Sequence, residues 1–348
     1  MMTAMSGESV ITINGSEGEG GGQVLRSSLA LSIITGKPFV LENVRARRAK
    51  PGLQRQHLTA VRAAAEVSGA RVEGAEVGSM TVRFAPGPVR AGEYVFRVGT
   101  AGSATLVLQT VLPALLTADG PSTLTLEGGT HNPMAPPFEF VDRVFLPWVN
   151  RMGANVSATL DRSGFYPAGG GRFRVSITPF ARRERVDIEA RGALIDKRVV
   201  ARVAGLPRGI AVRELEAANG LLSWEPESMS PEVLPKDQGP GNVVMIEVGY
   251  ERSRELFVAV GERGVRAESV AERVAREALA WIDAGVPVGE HLADQLLVPM
   301  ALVGGGRFVT VEPSLHTVTN AQVIGRFLPV AITTRQLDER RWEVTVRG

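Results

Sequence analysis

The chain has no cysteine and only four histidines. The first absence removes disulfides, thiolate nucleophiles and thiolate metal ligands, and it is compatible with a reducing compartment. The second leaves few side chains able to begin covalent chemistry near neutral pH. Long apolar runs are missing as well, so no segment is expected to span a membrane, and residues 1–10 lack the basic and apolar regions of a signal peptide. A cytoplasmic protein with a loose tail over residues 1–10 is the expectation. An excess of charge of one sign is absent too. The formal net charge of +2 excludes a polycation that coats nucleic acid indiscriminately. With 44% apolar and 22% charged residues and no low-complexity tract, the remainder should be globular.

What the chain does have is internal repetition. A length of 348 residues implies roughly two domains, or one domain of repeats with an insertion. Gly36 and Gly120 lie 84 positions apart, as do Gly69 and Gly153, Ala70 and Ala154, and Val72 and Val156. In the first copy the glycine-rich loop 18–22 leads to an apolar helix over 24–34, a strand over 39–44, a helix over 57–67 and a strand over 71–73. In the second, residues 99–103 lead to a helix over 104–116, a strand over 123–126, a helix over 138–151 and a strand over 155–160. Glycine after the second helix of each copy is a helix stop. A third copy has a helix over 291–302, a strand over 308–311 and a helix from near Asn320 to Phe327. Aligning the three strands puts Arg47, His131 and His316 at equivalent positions just past a strand end, where a pseudo-threefold axis would make them converge.

The period is lost between the second and third copies. Strand-like runs at 199–203, 243–248 and 256–260, with helix-like runs at 212–222 and 267–282, form a small α/β insert there. The expected organisation is therefore an α/β protein with a large three-repeat domain over 11–184 and 286–348 and an insert domain over 185–285.

Several groups could carry chemistry. His316 follows a short apolar strand and precedes Thr319 and Asn320, which can start a helix, so it sits at an element end facing a cleft. It is a candidate nucleophile, and equally a satisfied structural imidazole. Arg45, Arg47, Arg48, Lys50 and Arg55 lie within eleven positions with no acidic residue among them. They form either a solvated loop or an anion site, the arginine forks being suited to phosphate oxygens. The run Gly15 to Gln23 precedes a helix whose N-terminal amides could bind an anion, yet it is neither a P-loop nor a convincing dinucleotide turn. Glu17 and Glu19 within it could share a divalent cation with a polyphosphate, or simply favour the positive helix end. Asp294 could be a helix-start charge, and His57 another polar face residue. The loop Gly128 to Pro137 is turn-rich, and its glycines permit close approach by a ligand.

Five separated stretches, Gly18 to Arg26, Arg48 to His57, Gly164 to Gly171, Asp237 to Gly241 and Glu312 to Asn320, together resemble the RNA 3′-terminal phosphate cyclases, over nearly the whole chain from about Ile11 to Pro329. The resemblance implies three repeats of the enolpyruvyl-transferase fold with an inserted thioredoxin-like domain. It implies a ligase with ATP and RNA 3′-phosphate ends as substrates. A histidine attacks the α-phosphorus of ATP, AMP passes to the RNA phosphate, and the 2′-hydroxyl displaces AMP to leave a 2′,3′-cyclic phosphate. His316 matches the family's nucleophile. Gln109, Pro136, His291, Leu292, Ala293, Asp294 and Gln295 match its ATP site. Arg26, Arg45, Arg48 and Gln56 match residues near the triphosphate or RNA end, and Glu19 a ligand of divalent cation, Mg or Mn. Tyrosine stands in place of His291 in some relatives, so that imidazole serves packing or stacking and need not titrate. Two alternatives share the fold: a catalytically inactive ribosome-assembly relative and an enolpyruvyl transferase. The intact set of His316, Glu19, Asp294 and Gln295 argues against the former. Whether the chain is a monomer or a homodimer is left open.

Overall fold

The computed structural model describes residues 10–348, so all of the expected tail except Val10 lies outside the described residues. Three four-stranded sheets repeat one topology. In the first, Ile11–Asn14 pairs parallel with Phe39–Glu42, which pairs antiparallel with Val82–Ala85, which in turn pairs antiparallel with Arg71–Glu73. The second repeats this with Glu93–Arg97, Ser122–Gly128, Gly171–Thr178 and Asn155–Arg162. The third uses Val186–Ile188, Gly305–Thr310, Trp342–Arg347 and Ala331–Gln336 in the same order and directions. Each sheet needs a parallel crossover between its first two strands, and a helix supplies it. These crossover helices are Gly22–Thr35, Ala104–Leu115 and Glu290–Leu302. They are apolar on nearly all sides and buried accordingly, because each is wrapped by helices of the other repeats as well as by its own sheet.

The second helices of the copies are Arg55–Ser68, a composite Phe138–Arg151 with a π-helical middle over Val141–Phe145, and Leu315–Phe327. Glycines 36 and 69 end the first-copy helices as the sequence predicts. One boundary differs in a way that matters. The third-copy helix begins at Leu315, not near Asn320, because Ser314 caps it by accepting from the Thr317 amide. His316 therefore lies in a helical first turn and not on an extended strand end.

Between Val186–Ile188 and its crossover helix the chain makes a second domain. Its sheet runs Met229–Leu234, Leu194–Ala204, Gly241–Tyr250, Arg254–Val260; the first pair is parallel and the rest antiparallel, a thioredoxin-like order. Helix Ala267–Ala284 presents Val270, Ala271, Val274, Ala275, Ala278 and Trp281 at helical spacing to one face of this sheet, beside Arg208–Leu222. The other face packs through Val200, Val243 and Met245 on Phe165 of the large domain, which explains why Gly241–Tyr250 is buried on both sides. Strand Val186–Ile188 falls inside the expected 185–285 insert by sequence, yet it is hydrogen-bonded in the third sheet.

Candidate active site

The three crossover helices pack side by side and line an open groove between their N-terminal halves. Each repeat contributes the same part of its helix. Gln23, Arg26, Ser27 and Ala30 come from the first, Gln109, Leu112 and Pro113 from the second, and Asp294, Gln295, Val298 and Pro299 from the third, with Phe145 and Asn320 beside them. Polar groups lie toward the N-terminal ends and apolar ones deeper. Gln109 Nε2 donates to Gln295 Oε1, and Gln295 Nε2 to the His291 carbonyl at 3.1 Å, so two of the expected nucleotide residues are already joined across repeats. Leu292 and Ala293 have buried side chains and offer a ligand only backbone, while His291 is exposed. Pro136 does not line the groove; its carbonyl accepts from Thr105 Oγ1 at 2.8 Å, at the start of helix Ala104–Leu115.

His316 is the exposed member of a chain of hydrogen bonds. Its Nδ1 lies 3.0 Å from Gln23 Oε1, and Gln23 Nε2 donates to Asp294 Oδ1. Asn320 Nδ2 donates to the same carboxylate oxygen and to the Asp294 carbonyl, each at 3.0 Å, and Ser27 Oγ donates to Asn320 Oδ1 at 2.7 Å. A carboxylate only accepts, so the amide nitrogen of Gln23 must face Asp294 and its oxygen must face His316. His316 Nδ1 then carries the proton, and the Nε2 lone pair is left for chemistry. Burial lowers the pKa of His316, Asp294 opposes this, and Arg26, His291 and Arg48 reinforce it. Burial raises that of Asp294 against the pull of His316 and Arg26. The imidazole is accordingly neutral near pH 7, as a nucleophile must be.

Glu19 stands on the other side of His316, with Oε1 at 3.8 Å from Nε2. The carboxylate is paired with Arg48 and accepts from the Gly21 amide at 2.8 Å; the Glu19 amide donates to Thr319 Oγ1 at 2.9 Å. The glycine loop is thus tied to the His316 helix. Glu17, which the sequence allowed as a second cation ligand, turns away to Asn14 at 3.2 Å. No group of three or more His, Asp or Glu able to hold a metal occurs among the described residues. Glu19 is nonetheless an oxygen donor of the kind a hard divalent cation takes, and such an ion commonly fills its other positions with water and substrate phosphate.

The basic loop divides its duties. Arg48 faces Glu19, whereas Arg45 ties its own loop by donating to the carbonyls of Lys50 at 2.6 Å and Gly52 at 3.1 Å. Gln56 accepts from the Ser103 amide at 3.0 Å, which joins the first repeat to the start of the second crossover helix. Arg26 is pulled down to about 10 by burial, with Asp294 opposing.

The sequence assigns Gln23 no role and Asn320 only that of a helix start, although both lie within the stretches that carry the resemblance. His57, which the sequence allows as a polar face residue, is instead buried. His57 is 5% exposed, accepts from the Gln54 amide through Nδ1 at 3.2 Å, and presents Nε2 to the glycine loop. A side chain at Gly22 would meet it, since a Cβ there would lie 2.5 Å from His57 Nε2. Desolvation and the charges of Arg26 and Arg45 push His57 down to about 3.

The expected convergence of Arg47, His131 and His316 is not found. His131 is fully buried, stacks on Phe165 and is hydrogen-bonded through Nδ1 to Thr130 and through Nε2 to Glu139 at 2.8 Å each. Its third neighbour, Arg202, comes from the insert domain and donates to Glu139. His131 therefore belongs to the joint between domains. The three positions also fall at different distances beyond their strands, so they are not register partners.

A family model described as RNA 3′-terminal phosphate cyclase matches residues 17–334. The chain is 51% identical over 95% of its length to an RNA 3′-terminal phosphate cyclase of Koribacter versatilis, covering 93% of that protein. It is 49% identical over 94% of its length to one of Ectopseudomonas mendocina, covering 96% of it. Among solved structures it is similar to the enolpyruvyl transferase NikO from Streptomyces tendae, with a TM-score of 0.38 at 11% identity, over 97% of this chain and 48% of that one. It is also similar to EPSP synthase from Acinetobacter baumannii, with a TM-score of 0.26 at 10% identity, over 98% and 65% of the two chains. The family match and the two sequence relatives agree along nearly the whole chain, which belongs to the RNA 3′-terminal phosphate cyclase family.

Proposed function

We propose that the protein converts an RNA 3′-terminal phosphate to a 2′,3′-cyclic phosphodiester at the expense of ATP, with His316 as the residue that carries AMP. One observation supports this above the others: His316 Nδ1 is held by Gln23, a residue of the groove lining, while Nε2 makes no hydrogen bond to any described residue. Nε2 attacks the α-phosphorus of ATP, the bond to pyrophosphate breaks, and a histidine–AMP bond forms. A 3′-phosphate oxygen of the RNA then takes the AMP from His316. The adjacent 2′-hydroxyl attacks that activated phosphorus, loses its proton and expels AMP. Closure is intramolecular, with an effective molarity of roughly 10⁵ M or more, so activation supplies mainly a leaving group.

Charge on the phosphate oxygens is met by Arg26 in the groove and Arg48 at its mouth, while Gln109, Asp294 and Gln295 orient the nucleoside. A divalent cation, taking Glu19 as its protein ligand, would offset charge on the triphosphate. No helix among the described residues is long and apolar enough to cross a membrane. A cytoplasmic location belongs to the same proposal, and the absence of cysteine is compatible with it. The cyclase names of the sequence relatives favour this activity over the scaffold and enolpyruvyl-transferase alternatives. Incubation with α-labelled ATP tests it: an acid-labile histidine-linked AMP should form on the protein and be absent from His316→Ala. No adduct on the unaltered chain would sink the proposal.

A further inference from the structure

The insert domain carries a carboxylate that the site described above does not use. Glu255, on strand Arg254–Val260, is 2% exposed. Its Oε2 accepts from the Gly289 amide at 2.7 Å and its Oε1 from the Leu256 amide at 3.2 Å. Gly289 is the N-cap residue of helix Glu290–Leu302, the element bearing Asp294 and Gln295, and it has no side chain with which to cap that helix. The free amides of a helix N-terminus attract an anionic acceptor, and here the acceptor arrives from another domain. Burial pushes the Glu255 carboxyl up to about 7, with the two backbone amides opposing.

A second observation concerns the fit at residue 289. A Cβ there would lie 2.4 Å from Glu255 Oε2 and 2.8 Å from its Cδ. The backbone, at φ −80° and ψ 169°, is open to any L-residue. A side chain here would push the carboxylate off the Gly289 amide, so glycine is what lets the two meet, and the chain's own conformation does not demand it. The Ala293 amide closes the first helical bond onto the Gly289 carbonyl at 3.0 Å, one residue before Asp294.

We propose that Glu255 is a positioning residue through which the insert domain holds the first turn of the nucleotide-site helix, and so sets where Asp294 and Gln295 stand in the groove. The proposal rests on the nucleotide assignment of that groove. Its displacement would misplace the groove residues without removing any of them.

The full chain with Glu255→Ala, Gly289→Ala or Glu255→Gln provides the test. Cyclisation kinetics give KM for ATP and kcat, and hydrogen exchange reads the Ala293 amide. Either alanine variant should raise KM for ATP by about tenfold or more, since small misplacements of binding groups carry costs of that size. Both should also speed exchange at Ala293. Glu255→Gln, whose amide oxygen can accept the same bond, should stay within about twofold of the unaltered protein on both counts. Unchanged KM and exchange in the two alanine variants, or a glutamine variant as impaired as Glu255→Ala, would overturn it. If even the unaltered chain fails to use ATP, the nucleotide assignment falls, and exchange at Ala293 still decides whether Glu255 holds the helix.

Discussion

Gln23 and His316 share a hydrogen bond whose direction is dictated by a third residue. The amide oxygen of Gln23 lies 3.0 Å from His316 Nδ1 because its nitrogen is committed to Asp294. The carboxylate thus selects the imidazole tautomer without touching the ring.

Gln23→Leu removes that selection and should slow AMP-adduct formation by about 10–100-fold, the usual cost of losing a group that orients a reactive histidine. Gln23→Glu should act differently. A carboxylate beside Nδ1 favours the imidazolium, so it should move the acidic limb of the adenylylation rate to higher pH. In the unaltered protein that limb lies below the ordinary histidine range, since burial lowers the pKa of His316. Rates of adduct formation from pH 5 to 8 check both, and a normal rate in Gln23→Leu would refute the role.

His57 should make the fold sensitive to acid. Its folded-state value, pushed down to about 3, lies below that of an unfolded histidine. As pH falls, the unfolded chain therefore takes up a proton that the folded one refuses, and stability drops. From about pH 6.5 down to 5 this amounts to about 2 kcal/mol. The loss of Tm between pH 7 and pH 5 should be smaller in His57→Leu than in the unaltered protein. Parallel Tm profiles would show that His57 is protonated in the fold.

Arg202 should be worth more as a partner than as a charge. It donates to Glu139, which is 3% exposed; burial works to raise Glu139, yet His131 and Arg202 outweigh it and hold the group well below the carboxylate range. Arg202→Met leaves that carboxylate in the joint without its cation and should cost about 3–5 kcal/mol. Adding Glu139→Gln should restore a good part of this. Urea unfolding of the two proteins decides it, and equal losses would contradict the pairing.

The period of 84 residues was legible because matched glycines and alanines end equivalent helices in two copies, and the apolar crossover helices because each is a local pattern in a long element. The short opening strands Ile11–Asn14 and Val186–Ile188 were not, having too few residues to show alternation. Strand Met229–Leu234 escaped notice because Pro231 interrupts it; its place at the sheet edge tolerates the proline. In the site, His316 and Glu19 stood out by residue type and motif. Gln23 did not, since its role depends on an aspartate from another repeat. His131 was misplaced for the same reason: its fate is set by Arg202, which reaches it from a domain the period does not include.

The insert lies between strand Val186–Ile188 and the helix that leads to its partner strand, Gly305–Thr310. An unfolded stretch of that length would slow the pairing more than weaken it, since closure cost grows only slowly with length, and a folded domain returns its two ends to fixed points and shortens the effective loop. On a chain made from its N-terminus, two sheets can form while the third waits for a whole domain to fold. The groove is complete only after Asn320 has been added, so a product that stops short of it retains repeats and a core but lacks one wall of the groove.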